Sequence, residues 1–107
     1  MKQIETLILT MLTAGHRHGY GIRQDIIEHT GGRVALEAGN LYRHIRDLEE
    51  AALIAPAAAP DGDDRLIYYR LLPAGKRALA AELAAMRDLV RFAESHGVAV
   101  PTRAAQR

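Results

Sequence analysis

Glu37-Ala38-Gly39-Asn40-Leu41-Tyr42-Arg43-His44-Ile45-Arg46-Asp47-Leu48-Glu49 decides the fold, because its spacing describes one short amphipathic helix. Leu41, Ile45 and Leu48 recur at i, i+4 and i+7 and form an inner stripe. At about 100° per residue, the opposite side collects Arg43, Arg46, Asp47 and Glu50, with Tyr42 and His44 on the flanks. A helix covered on one side and carrying Arg, Asn and Tyr on the other has the shape and chemistry to lie in a DNA major groove. The same pattern also describes an ordinary surface helix. The elements around it weigh between the two.

Before it, Ile4, Leu7, Ile8, Met11 and Leu12 mark a first helix over roughly residues 2–14, ended by Gly15. His16-Arg17-His18-Gly19 reads as a short polar turn, and a second helix follows from Gly19 to His29, stopped by Thr30-Gly31-Gly32. Val34-Ala35-Leu36 suits a minimal strand. After it, an extended segment begins at Leu53-Ile54-Ala55. Pro56 and Pro60 within that segment point to a sheet edge. Pro60-Asp61-Gly62-Asp63-Asp64 is a turn, and Leu66–Leu72 is the best strand of the chain, so the two segments pair as a hairpin. Pro73 opens a long last helix that runs to Ser95 or His96 and is capped by Gly97. Helix, helix, short strand, helix, hairpin and long helix make a mainly α fold with a small β-hairpin: a winged helix-turn-helix with a C-terminal helix. The turn is the wing.

Composition narrows the function. At 107 residues the chain is one domain with at most an extra element, and its small core would gain from association. It has no cysteine, which excludes disulfides and thiolate chemistry. With no apolar run near the roughly 20 residues of a membrane span, a soluble cytoplasmic protein is expected. The net charge of +1 is uneven: residues 1–72 hold 8 Lys/Arg against 10 Asp/Glu, and residues 73–107 hold 6 against 3. A deficit of positive charge in the first part argues against nucleic acid unless the arginines share one face.

His18-Gly19-Tyr20-Gly21-Ile22, Gly39-Asn40-Leu41-Tyr42-Arg43, Leu48-Glu49-Glu50-Ala51-Ala52-Leu53-Ile54, Tyr68-Tyr69-Arg70-Leu71 and Gly75 come in an order that resembles the PadR family of bacterial transcriptional regulators. The resemblance covers roughly residues 4–96 and is to the short branch with one C-terminal helix. It implies a winged-helix domain over 1–72, a dimerisation helix over 73–96 and a flexible tail over 97–107. It also implies a homodimer that binds operator DNA, usually as a repressor. Four departures stand out. Ala52 occupies the place of a helix-ending glycine, Gly21 that of an acidic residue, and Leu72-Pro73 that of a Thr or Ser. Asp61, Asp63 and Asp64 surround a single Arg65 on the wing, where phosphate would repel them.

The candidate DNA contacts are Tyr20, Asn40, Tyr42, Arg43, Arg46 and Arg65. Arginine pairs bidentately with guanine and asparagine with adenine, while Tyr42 can pack on the second helix and reach a phosphate. Arg43 and Arg46 could instead pair with Asp47 and Glu50 one turn on. Tyr20 can meet a phosphate at a helix N-terminus or sit in the core. His16 and His18 lack an acidic or sulfur partner, so they read as solvated and no metal or cofactor is expected; His18 can still touch phosphate. Arg70 is free either to contact phosphate or to pair with the wing aspartates. Tyr68 and Tyr69 alternate faces.

Leu79, Leu83, Met86 and Val90, widened by Leu89 and Phe92, form a 4-3-4 seam too broad for one partner; a second copy is its natural cover. Phe92, Met86 and Met11 could line a cleft for a small hydrophobic effector, although a chain with no Trp and one Phe offers little aromatic lining. There is no phosphate loop and no nucleophile with an evident base, so no enzyme is indicated. The competing reading is a winged-helix protein–protein interaction module without DNA binding, motivated by the acidic wing.

Overall fold

In the computed structural model, which describes residues 1–63 and 65–102, helix α1 spans Gln3–Leu12 and strand β1 spans Arg17–His18. Helix α2 spans Gly19–His29 and helix α3 Ala38–Glu50, followed by strands β2 (Ile54–Ala57) and β3 (Tyr68–Leu71) and helix α4 (Pro73–Ser95). The wing residue Asp64 and residues 103–107 of the expected tail lie outside the described residues.

Burial follows the helical periods. Ile8, Leu9 and Leu12 of α1, Ile22 and Ile26 of α2, and Leu41, Ile45 and Leu48 of α3 close one core with Leu36, Ile54, Tyr69 and Leu79. Each such side chain contributes about 2 kcal/mol by leaving water. The α3 stripe alone therefore holds that helix firmly enough for its other face to remain polar.

The sheet has three strands in the order β1-β3-β2, all antiparallel neighbours. Ile54 pairs with Leu71 and Pro56 with Tyr69; Pro56, which has no N–H, sits in an edge strand where one fewer donor is tolerated. Two expectations are corrected here. Arg17-His18 is not a plain turn but a strand, pairing Arg17 with Tyr69 and His18 with Tyr68. A two-residue strand carries no periodic signal of its own; its partner, about 50 residues away, makes it. Conversely, Val34–Leu36 forms no strand. Its backbone is held by side chains instead: the Val34 N–H donates to Thr30 Oγ1, and the Arg23 guanidinium donates to the Leu36 carbonyl.

The end of α3 retains the left-handed turn despite its alanine. Ala52 has φ 58°, the one positive φ outside glycine among the described residues. Its N–H donates to Glu49 O at 2.9 Å and the Leu53 N–H to Leu48 O at 3.0 Å, the paired bonds of a Schellman ending. The helix end is thus not shifted; the strain is borne by Ala52. Gly75 has a different role. A Cβ there would collide with the Leu53 carbonyl and the Leu71 side chain, so glycine lets the first turn of α4 sit directly on the chain leaving α3.

Beyond that turn α4 leaves the core. Leu79 is 4 % exposed and packs in the core, whereas Leu83, Met86, Leu89, Val90 and Phe92 are 40–70 % exposed. Leu79 therefore departs from the expected dimer seam: it is buried within its own chain, and the seam open to a partner starts at Leu83. The expected effector cleft is not formed within the chain either. Met86 and Phe92 stand on the exposed arm of α4, while Met11 packs against the core.

Candidate nucleic-acid interface

The exposed face of α3 carries Asn40, Tyr42, Arg43, Arg46, Asp47 and Glu50. Its side chains are aimed by the buried Leu41–Ile45–Leu48 stripe on the other side. Arg43 Nη2 donates to Asn40 Oδ1 at 2.6 Å. Among the described residues neither Arg43 nor Arg46 forms an ion pair with Asp47 or Glu50, so both guanidinium charges remain available. The pairing along the helix that spacing allowed is not made.

His44, expected on the flank, is instead buried at 6 % exposure, with Nδ1 3.2 Å from Glu5 Oε2. Its neighbours in the sequence gave no sign of this, because Glu5 lies 39 residues away on α1.

Tyr42 joins α3 to the start of α2. Its ring covers Gly19 so closely that a Cβ there would lie 2.6 Å from the ring and the hydroxyl. Glycine is what lets the tyrosine lie across the N-terminus of α2. Tyr20, on the same turn, is 58 % exposed, which removes the core alternative; its hydroxyl accepts from Gln24 Nε2 at 2.8 Å. His18 caps the helix, its Nδ1 accepting the Gly21 N–H at 2.9 Å. That bond requires the tautomer with the proton on Nε2. The His18 ring also stacks on Tyr20 (centroids 6.3 Å apart) and meets Tyr68 edge-on at 5.2 Å. His18 is thus a structural cap and not the solvated turn residue its local sequence suggests. Two exposed phenols and a helix N-terminus are brought to the edge of the α3 face, an arrangement suited to anions.

The wing contributes less. Arg65 is tied back to Asp63, with Nε 2.9 Å from Oδ1, Nη2 2.6 Å from Oδ2 and the Arg65 N–H on Oδ1 at 3.0 Å. The bond to Arg65 holds the Asp63 carboxyl below the usual carboxylate range, so the pair stays ionised and its charges cancel locally. Arg70 is exposed and makes no ion pair with the wing aspartates among the described residues. Tyr69 lies in the core, where burial first, then the Glu49 and Tyr42 charges, push its phenol above 10.0; Tyr68 is half-buried under His18.

Three helices, a short strand completing the sheet, a β2–β3 wing and a projecting C-terminal helix define a winged helix-turn-helix protein. The model of the transcriptional regulator PadR-like family matches residues 8–81. The chain belongs to that family of transcriptional regulators. Solved structures agree in fold. A PadR family transcription regulator from Clostridium difficile matches with a TM-score of 0.77 at 23 % identity, over 89 % of this chain and 98 % of that one. A transcriptional regulator from Clostridium thermocellum gives 0.73 at 24 %, over 90 % of each chain. Bacillus subtilis PadR, solved with operator DNA, gives 0.67 at 23 %, over 77 % of this chain and 47 % of that one. A comparison with curated proteins found no match. No helix among the described residues is long and apolar enough to cross a membrane.

Proposed function

We propose that the protein is a cytoplasmic DNA-binding repressor that works as a homodimer on a pseudo-palindromic operator. The observation that carries this reading is the α3 face, where Asn40, Tyr42, Arg43 and Arg46 are exposed and both arginines are free of carboxylates. The N-terminal half of α3 reads base edges, Arg43 and Arg46 supplying donors to guanine, while Tyr20 and Tyr42 meet phosphate at the start of α2. Leu83, Met86, Leu89, Val90 and Phe92 pack against the same residues of a second copy, which covers an apolar strip otherwise left to water. Two copies then present their α3 helices about 34 Å apart, or a multiple of it, matching successive turns of the duplex. The operator DNA printed for the Bacillus subtilis relative supports the same assignment.

The acidic wing favours a protein-docking module as the competing reading, and one measurement separates them. Fluorescence anisotropy with duplex from the protein's own promoter should show binding that weakens steeply with salt. Replacing both Arg43 and Arg46 by alanine should flatten that salt dependence by about 0.9 in log–log slope for each phosphate no longer neutralised. Asp63→Asn, which releases Arg65, should tighten binding. An affinity indifferent to all three changes, or no binding at low salt, would leave the docking module as the better account.

A further inference from the structure

Beside its aliphatic stripe, α3 buries one polar side chain, His44. The side chains of His44 and Glu5 are 8 % and 15 % exposed, and they touch at 3.2 Å. Asp47, one turn further along α3, is exposed at the rim. Each of Glu5, His44 and Asp47 can offer one ligand atom, and the three atoms lie within 4.8 Å of one another. An imidazole and a carboxylate inserted between two packed helices add little to stability as a pair, because desolvation offsets their attraction. A position on the core side of α3 would be served at least as well by an aliphatic residue.

We propose that Glu5, His44 and Asp47 form a binding site for one divalent first-row transition ion, with zinc as the reference case. One imidazole nitrogen and two carboxylate oxygens are the donors such an ion takes, and three protein ligands leave the fourth tetrahedral position to water. The 3.2 Å separation of His44 Nδ1 and Glu5 Oε2 is close to the edge of a tetrahedron with bonds of about 2.0 Å. Asp47, at the solvent rim, needs only a side-chain rotation to close the third vertex. The ligands come from two helices that are neighbours only in the folded chain, so the ion binds the native state alone and fastens α3 to α1. Its charge also offsets two carboxylates on and beside the helix that carries Arg43 and Arg46. Any effect of the ion on DNA affinity rests on the function proposed above; binding of the ion does not.

Isothermal titration of ZnCl2 into chelator-treated, tag-free full-length protein tests the site, with cobalt absorption as a second signal and MgCl2 as control. The expected result is one zinc per chain and a higher melting temperature. Glu5→Gln and Asp47→Asn should each weaken binding about tenfold or more, as removal of a ligand or its support does. Asp47 is exposed, so its variant folds even if His44→Leu does not. The absence of zinc-linked heat and of a melting shift would overturn the proposal. So would binding undiminished in both carboxylate variants, which would assign the ion to surface histidines.

Discussion

Replacing Ala52 by glycine should stabilise the protein, against the usual direction of an alanine-to-glycine change. Ala52 holds φ 58° at the end of α3, fixed by the bonds from its own N–H to Glu49 O and from Leu53 to Leu48 O. A left-handed conformation costs an L-residue roughly 1–2 kcal/mol. Glycine adopts it freely but gives back about 0.5–1 kcal/mol through the greater freedom of its unfolded chain. Ala52 is exposed, so removing the methyl forfeits no packing. The difference is a gain of about 0.5–1 kcal/mol, or a few degrees in melting temperature for a domain of this size. Urea unfolding followed by circular dichroism measures it, at fixed protein concentration because association shifts apparent stability. The midpoint should rise with an unchanged slope, and Ala52→Val, whose branched Cβ fits this region worse, should lower it. A glycine variant no more stable than the parent would refute the argument that Ala52 carries strain.

Other perturbations separate the interactions around the α3 face. Gly19→Ala should cost about 1–3 kcal/mol by overpacking against the Tyr42 ring, and much less in a Tyr42→Ala background, a coupling that a double-mutant cycle reads. His18→Ala should cost about 1 kcal/mol by removing the cap on Gly21 N–H, with His18→Asn recovering most of it in thermal unfolding. Leu89→Asp with Phe92→Asp should leave the fold unchanged by circular dichroism but give a monomer by light scattering; a dimer that persists would place the interface elsewhere. The raised phenol of Tyr69 sets an alkaline limit, because burial disfavours its ionised form. Its contribution is whole below pH 10.0, the ordinary phenol value, and is lost as pH rises through the higher folded value; Tyr69→Phe should remove that part of the alkaline decline in denaturant titrations.

Much of this molecule is written locally. Leu41, Ile45 and Leu48 repeat at the helical period, and that spacing alone determines which side of α3 is buried and that Asn40, Arg43 and Arg46 face outward. Pro56, the turn beginning at Pro60 and the β-rich Tyr68–Leu71 segment likewise announce the wing, and Pro73 announces the start of α4. What periodicity cannot express is which distant residue comes alongside. His44 sits at a helix position compatible with either flank, and only the approach of α1 with Glu5 buries it. Arg17 and His18 become a strand because Tyr69 and Tyr68 pass beside them, and His18 becomes a cap because the strand sets its ring over the first turn of α2. Leu79 and Leu83 are equivalent in the repeat along α4, yet one fills the core and the other is left outside, because the body of the protein ends between them. Ala52 shows the same division most sharply. Its sequence disfavours a left-handed turn, but packing of the chain on both sides of it over-determines the turn, and the tertiary structure holds the residue there.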